Sequence, residues 1–227
     1  MFKKLFLMFS IVFSFVTCKE IYASNIFYDN FLENTELTRW TEYPDNLGDT
    51  GNWLLNSDGL HSYADTGTYS FLCKKESNLP MNYVFESDVI NVNGVDQDFI
   101  FRVSDDLQDY YLVNYRYNDP DWSWDNNNVR VFRIKRDGYV WLGDYSGATI
   151  GQGTEHKLKI ELRDQYIDVY FDNVLIISAK DNSQDWLKNS RFCLRTWGGN
   201  IPGVSENIYK YVRFSNNDQN NKIILIP

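Results

Sequence analysis

Two tryptophans set among acidic and amide side chains are the first residues here with chemistry to offer. Trp122 and Trp124 fall in residues 118–128, Asn-Asp-Pro-Asp-Trp-Ser-Trp-Asp-Asn-Asn-Asn. A loop tryptophan either covers apolar surface or meets a partner. In an extended loop the two rings share a side. Such a platform suits the C–H face of a pyranose, with Asp and Asn beside it for the hydroxyls. The rings could equally fold back over a sheet edge. Arg102, Asn114 and Arg116 form a second group. Alternation sets Phe99, Phe101 and Val103 against Arg102, and Tyr111, Val113 and Tyr115 against Asn114 and Arg116. On neighbouring strands these three polar side chains would converge on one surface, as ligand-binding groups or as a cross-strand charge ladder. Trp197, in Thr-Trp-Gly-Gly-Asn at 196–200, is a third candidate, at a rim or in a packing turn.

Catalytic patterns are sparse. Glu86 and Asp88 share one face of a strand, and a retaining glycosidase needs two carboxylates about 5–5.5 Å apart. An i, i+2 acidic pair is also an ordinary solvated strand face. Only two histidines occur, His61 and His156, and each reads as a strand residue. No nucleophile elbow, phosphate loop or Cys/His metal cluster is present.

The elements that must position these groups are strands. Short segments rich in β-branched and aromatic residues recur between Asn, Asp, Gly and Ser. They cover 25–31, 53–55, 60–63, 69–73, 83–90, 99–103, 110–117, 129–135, 139–144, 157–163, 167–171, 174–179, 191–196 and 209–214. In 157–163, Leu158, Ile160 and Leu162 oppose Lys157, Lys159, Glu161 and Arg163, one buried face against one wet face, as in antiparallel sheets. Residues 184–189 suit a single helical turn. No long helical period and no internal repeat appears. The expected architecture is all-β, a two-sheet antiparallel jelly-roll sandwich. Aromatic residues make up 17% of the chain and are spread along it, which excludes disorder. A net charge of −9 with no basic block argues against nucleic acid as a partner.

The ordered series of motifs resembles the concanavalin A-like lectin/glucanase superfamily, nearest to its laminin G-like and 3-keto-disaccharide hydrolase-like domains. Phe27-Tyr28-Asp29-Asn30-Phe31 followed by Trp40 is similar to that group's opening. Trp53 with Asp58-Gly59-Leu60 resembles its hairpin, and residues 83–89 its long strand. Phe101-Arg102 with Tyr110-Tyr111, then 156–162 with 167–173, follow in order, and 192–195 with 209–212 resemble the closing pair. The match runs over residues 26–214. It implies two large sheets, one concave and commonly holding sugar, and a calcium ion between the opening segment and the last strand, with Asp29 as its side-chain ligand. Asn173 stands where the group often has Gly, and Asn207-Ile208 replaces its usual Asp-containing pair. The glucanase branch carries a third carboxylate after Glu86 and Asp88, and Ile90 breaks that pattern here.

The N-terminus reads as a signal peptide over residues 1–23: Lys3 and Lys4, an apolar run over 5–16, and Ile-Tyr-Ala before the cleavage point. The run falls short of the roughly 20 apolar residues that span a bilayer, so no integral span is expected in the mature chain. A buried N-terminal helix and lipoprotein processing at Cys18 are the alternatives. Cleavage after Ala23 removes three Lys and one Glu, shifting the charge from −9 to −11. It leaves Cys73 and Cys193, either bridged or two separate buried thiols; a bridge closing a loop of about 120 residues would stabilise by ~4–5 kcal/mol. The domain expected is 24–214, with 215–227 a polar linker and short apolar tail. The function expected is a secreted, non-catalytic module at the cell surface, outside the cell or in the periplasm. It would hold a glycan through Trp122, Trp124, Trp197, Arg102, Asn114 and Arg116, with structural calcium at Asp29. The alternatives are a glycoside-acting hydrolase of the 3-keto-disaccharide type and a laminin G-like adhesion domain.

Overall fold

Alternation of apolar and polar residues decides which side of each strand is hidden, and the strands stack accordingly into two sheets. The computed structural model describes residues 25–34, 36–43, 52–93, 95–117, 127–148, 151–199 and 204–217. Among these, sixteen strands and no helix occur. The nine-stranded sheet contains β1 (Asn25–Asn30), β3 (Asn52–Asn56), β4 (Gly59–Asp65), β6 (Tyr83–Asn93), β11 (Glu155–Arg163), β12 (Tyr166–Phe171), β13 (Val174–Lys180), β15 (Val204–Tyr209) and β16 (Tyr211–Asn216). The seven-stranded sheet contains β2 (Trp40–Tyr43), β5 (Tyr69–Lys74), β7 (Asp96–Val103), β8 (Tyr110–Arg116), β9 (Asn128–Lys135), β10 (Gly138–Ser146) and β14 (Arg191–Trp197). Its order is β10-β9-β8-β7-β14-β5-β2. All pairings are antiparallel.

The stretch read from sequence as one strand at 209–214 is two. The eleven-residue β6 is long enough to pair with β15 along one half and β16 along the other. Between them Lys210 turns its N–H to Asp88 O and accepts from Phe31 N–H. Residues 184–189 form no helix; a turn at 184–185 is all that occurs, and Asp185 is drawn to Arg133 and Lys135 instead. β16 continues through Asn216, two residues past the expected domain end.

The core lies between the sheets. Phe85 of β6 packs on Phe99 and Phe101 of β7, Phe192 of β14 and Phe214 of β16, with ring centroids 5.0–5.5 Å apart. Cys73 and Cys193 lie opposite each other on β5 and β14 and form a disulfide, tying the edge half of the seven-stranded sheet together. Phe85→Ala should cost about 3–5 kcal/mol, read as a shift of the denaturant midpoint at unchanged slope. A cost below 1 kcal/mol would mean the two sheets do not depend on this contact.

Candidate functional site

The inward side of the seven-stranded sheet is spent on the core, and its outer side carries polar and aromatic residues, most of them buried. Cross-strand register arranges that side in rows. The first row runs Tyr69, Trp197, Asp96, Arg116, Asn128, Ser146. Two residues further along the strands comes Phe71, Arg195, Asp98, Asn114, Arg130, Asp144. The third row is Cys73, Cys193, Ile100, Leu112, Phe132, Trp141. One face thus passes from polar and aromatic to apolar.

The first row is built around stacked rings. Tyr69 and Trp197 lie at 5.9 Å with an 18° interplanar angle, and both remain partly exposed. Arg116 holds its guanidinium 5.3 Å from the Trp197 ring and donates two hydrogen bonds to Asp96, at 2.9 and 3.1 Å. The Trp197 backbone is fixed by the turn after it. Gly198 donates to Thr68 O at 3.1 Å and Gly67 to Gly199 O at 2.6 Å. A Cβ at residue 198 would sit 1.9 Å from Asp65 O, so only glycine lets the two turns meet.

The middle of the second row, from Arg195 to Arg130, is a buried floor. Asp98 is fully buried; Arg195 Nε donates to it at 2.6 Å and Asn114 Nδ2 at 2.7 Å. Arg195 also lies 4.6 Å from the Tyr69 ring. Burial is the main force on Asp98 and pushes its pKa up to about 6, assisted by the nearby Asp96 charge and opposed by Arg195 and Asn114. Arg195 stays charged, held up by Asp98.

The expected residues divide into four groups. Arg116 and Trp197 meet on this face, partly exposed. Asn114 lies on the same face but is 2% exposed, its amide given to Asp98; it positions the floor rather than offering itself to a ligand. Arg102 is corrected. It is 1% exposed, with φ +52°, at a register shift where Val103 pairs Arg191 and Phe101 pairs Phe192. That bulge breaks the alternation and sends the guanidinium to the carbonyls of Met81 (2.7 Å), Leu187 (3.3 Å) and Asp164, closing the far end of the sandwich. Trp122 and Trp124 lie outside the described residues.

The remaining candidates are engaged elsewhere. Glu86 and Asp88 are on the outer side of the nine-stranded sheet, where Arg213 Nε bonds Glu86 at 2.9 Å and Tyr211 OH bonds Asp88 at 3.2 Å. His61 lies 2.7 Å from both Asp58 and Glu206, joining the β3–β4 hairpin to β15. His156 bonds Asp172 at 2.9 Å. Asp29 is buried and accepts from Trp40 Nε1 at 2.6 Å and from Asn34. These N–H donors occupy both carboxylate oxygens, and among the described residues no group of three or more His, Cys, Asp or Glu could hold a metal ion. In this structure Asp29 serves as the acceptor that ties Trp40 and Asn34 to β1. Asp96, Asp98, Arg195 and Tyr69 were missed from sequence; Asp98 and Tyr69 meet Arg195 and Trp197 of β14 only across distant parts of the chain.

No protein-family model and no curated protein matches the chain. Solved structures do. The carbohydrate binding module CBM66 from Bacillus subtilis is 20% identical, with TM-score 0.62 over 78% of this chain and 96% of that one. A Bacillus licheniformis β-glucanase is 12% identical, with TM-score 0.62 over 83% and 97%. The fold is a concanavalin A-like jelly roll. The potassium-bound carbohydrate recognition domain of Emp46p shares it at 11% identity, with TM-score 0.61 over 82% and 94%. Within this jelly roll, the raised Asp98 carboxyl has a measurable consequence. Between the ordinary Asp value and about 6, the folded protein holds a proton the unfolded chain has lost. The stability this group contributes is thus fully present below the ordinary value and lost as pH rises through about 6. A carboxyl carbon-13 titration should place the Asp98 midpoint near 6; a midpoint at 4 or below would contradict burial as the dominant force.

Proposed function

We propose that the chain is a secreted, non-catalytic carbohydrate-binding module, with its glycan on the outer face of the seven-stranded sheet. The observation that carries this reading is the Tyr69–Trp197 stack, partly exposed and held beside the Arg116–Asp96 ion pair. The flat rings accept the apolar face of a sugar. Arg116, Asn128 and Ser146 follow along the same row with donors and acceptors for its hydroxyls. The buried Arg195–Asp98–Asn114 floor supports Tyr69 through the Arg195 guanidinium, which lowers the ordering cost of binding. The segment bearing Trp122 and Trp124 joins β8 to β9, whose ends Arg116 and Asn128 stand in the first row; this favours its rings as rim contacts. The Cys73–Cys193 bridge agrees with an oxidising compartment and with a signal peptide over 1–23. Glu86 and Asp88 are bonded to Arg213 and Tyr211, which disfavours the hydrolase reading at this pair. An adhesion module would bind protein regardless of added sugar.

A glycan array with the wild type and Trp197→Ala tests this. A buried-edge aromatic anchor typically contributes more than 1 kcal/mol, roughly tenfold in affinity. Retained folding with at least tenfold weaker glycan binding is expected. Absence of any bound glycan, or binding indifferent to Trp197, would refute the reading.

A further inference from the structure

A second aromatic–guanidinium pair stands on the same face, at its opposite edge. Trp141 of β10 is 49% exposed and Tyr139 68%, unusual for such large rings on an edge strand. Phe132 supports both, edge-on, at 4.9 Å from Trp141 and 5.7 Å from Tyr139. The Arg130 guanidinium lies 5.5 Å from the Trp141 ring, repeating the relation of Arg116 to Trp197. Trp141 faces outward beside Phe132, and a register shift between Trp141 and Gly143 brings Gly143 as well as Leu142 to the inner side. Gly143 allows β10 to close on β13, where a Cβ would meet the Ile177 side chain at 3.0 Å. Between the two stations the second row places Arg195, Asp98, Asn114 and Arg130, none more than 8% exposed, and then the exposed Asp144. From Trp197 to Trp141 the face crosses four strand spacings and four residues, about 19 Å across and ~13 Å along the strands.

Resting on the glycan-binding reading, we infer that Trp141 with Arg130 forms a second sugar-binding station, so that the ligand is an uncharged polysaccharide lying obliquely across the seven-stranded sheet rather than a disaccharide or a single chain end. One small sugar cannot reach both stations; a chain can, and would gain avidity from occupying both at once. The path carries Arg116, Arg130 and Arg195 against Asp96, Asp98 and Asp144. Two of these arginines are bonded to two of the aspartates, so no excess of positive charge favours an anionic chain. The net charge of −9 disfavours one further.

Affinity electrophoresis in barley β-glucan, xylan, galactomannan, pullulan and alginate, followed by calorimetry with short and long oligosaccharides of whichever polymer retards the protein, tests this. Affinity should rise with chain length and stay weak for alginate. Trp141→Ala should weaken binding of the polymer at least tenfold while leaving the disaccharide unchanged, and Trp141→Phe should restore most of the loss. Trp197→Ala should weaken both. Binding that is independent of length, a Trp141→Ala variant indistinguishable from wild type, or alginate bound as tightly as the neutral polymers would overturn this inference and leave the glycan-binding reading standing. No binding to any polymer or array glycan would overturn both.

Discussion

Phe85, packed among Phe99, Phe101, Phe192 and Phe214, fixes which side of the central strands faces inward. Everything outside follows from that contact. With Phe99 and Leu194 inward, Asp98 and Arg195 must face outward in the same register, and Asn114 must stand beside them. The core thereby sets the order of the surface row, and the surface groups need no further device to find one another.

The two outer faces then diverge by chemistry. On the nine-stranded sheet, Glu86, Arg213, Lys157 and Lys159 with Glu161 form a partly exposed charge ladder, the usual treatment of an antiparallel face toward solvent. On the seven-stranded sheet the ion pairs sink below rings. Burying Arg195 against Asp98 costs desolvation that offsets much of their attraction. The pair is better understood as fixing Tyr69, over which the Arg195 guanidinium lies, than as a source of stability. Rigid rings over a fixed polar floor are what a weakly polar ligand with many hydroxyls requires.

The sequence made much of this legible. Alternation in 157–163 and 111–116 matches the faces found, and the jelly roll with its antiparallel sheets follows from such patterns. Arg116 and Trp197 were readable as surface candidates. Arg102 was not, because a bulge with positive φ at an arginine leaves no local mark, and one such step reverses the face. The pairings of Asp98 with Arg195 and of Tyr69 with Trp197 depend on β14 lying between β5 and β7, a neighbour relation that no local spacing encodes. For the same reason the cysteine pairing stayed open until β5 and β14 were seen side by side. The hydrogen bonds that Asp29 accepts from Trp40 and Asn34 were not legible either, because they depend on how the segment after β1 folds back. The Trp141 signal was present, since Tyr139 and Trp141 share parity and precede a glycine, yet nothing in sequence distinguishes an edge strand from a central one.

The central claim is that function resides on the outer face of the seven-stranded sheet. Mapping bound glycan by nuclear magnetic resonance tests it most directly, with side-chain indole and guanidinium N–H signals followed during titration. The account predicts shifts at Trp197, Trp141 and Arg116, with the core indoles of Trp40 and Trp53 unmoved. Shifts confined to Arg213, Arg163 and their neighbours on the nine-stranded sheet would contradict it.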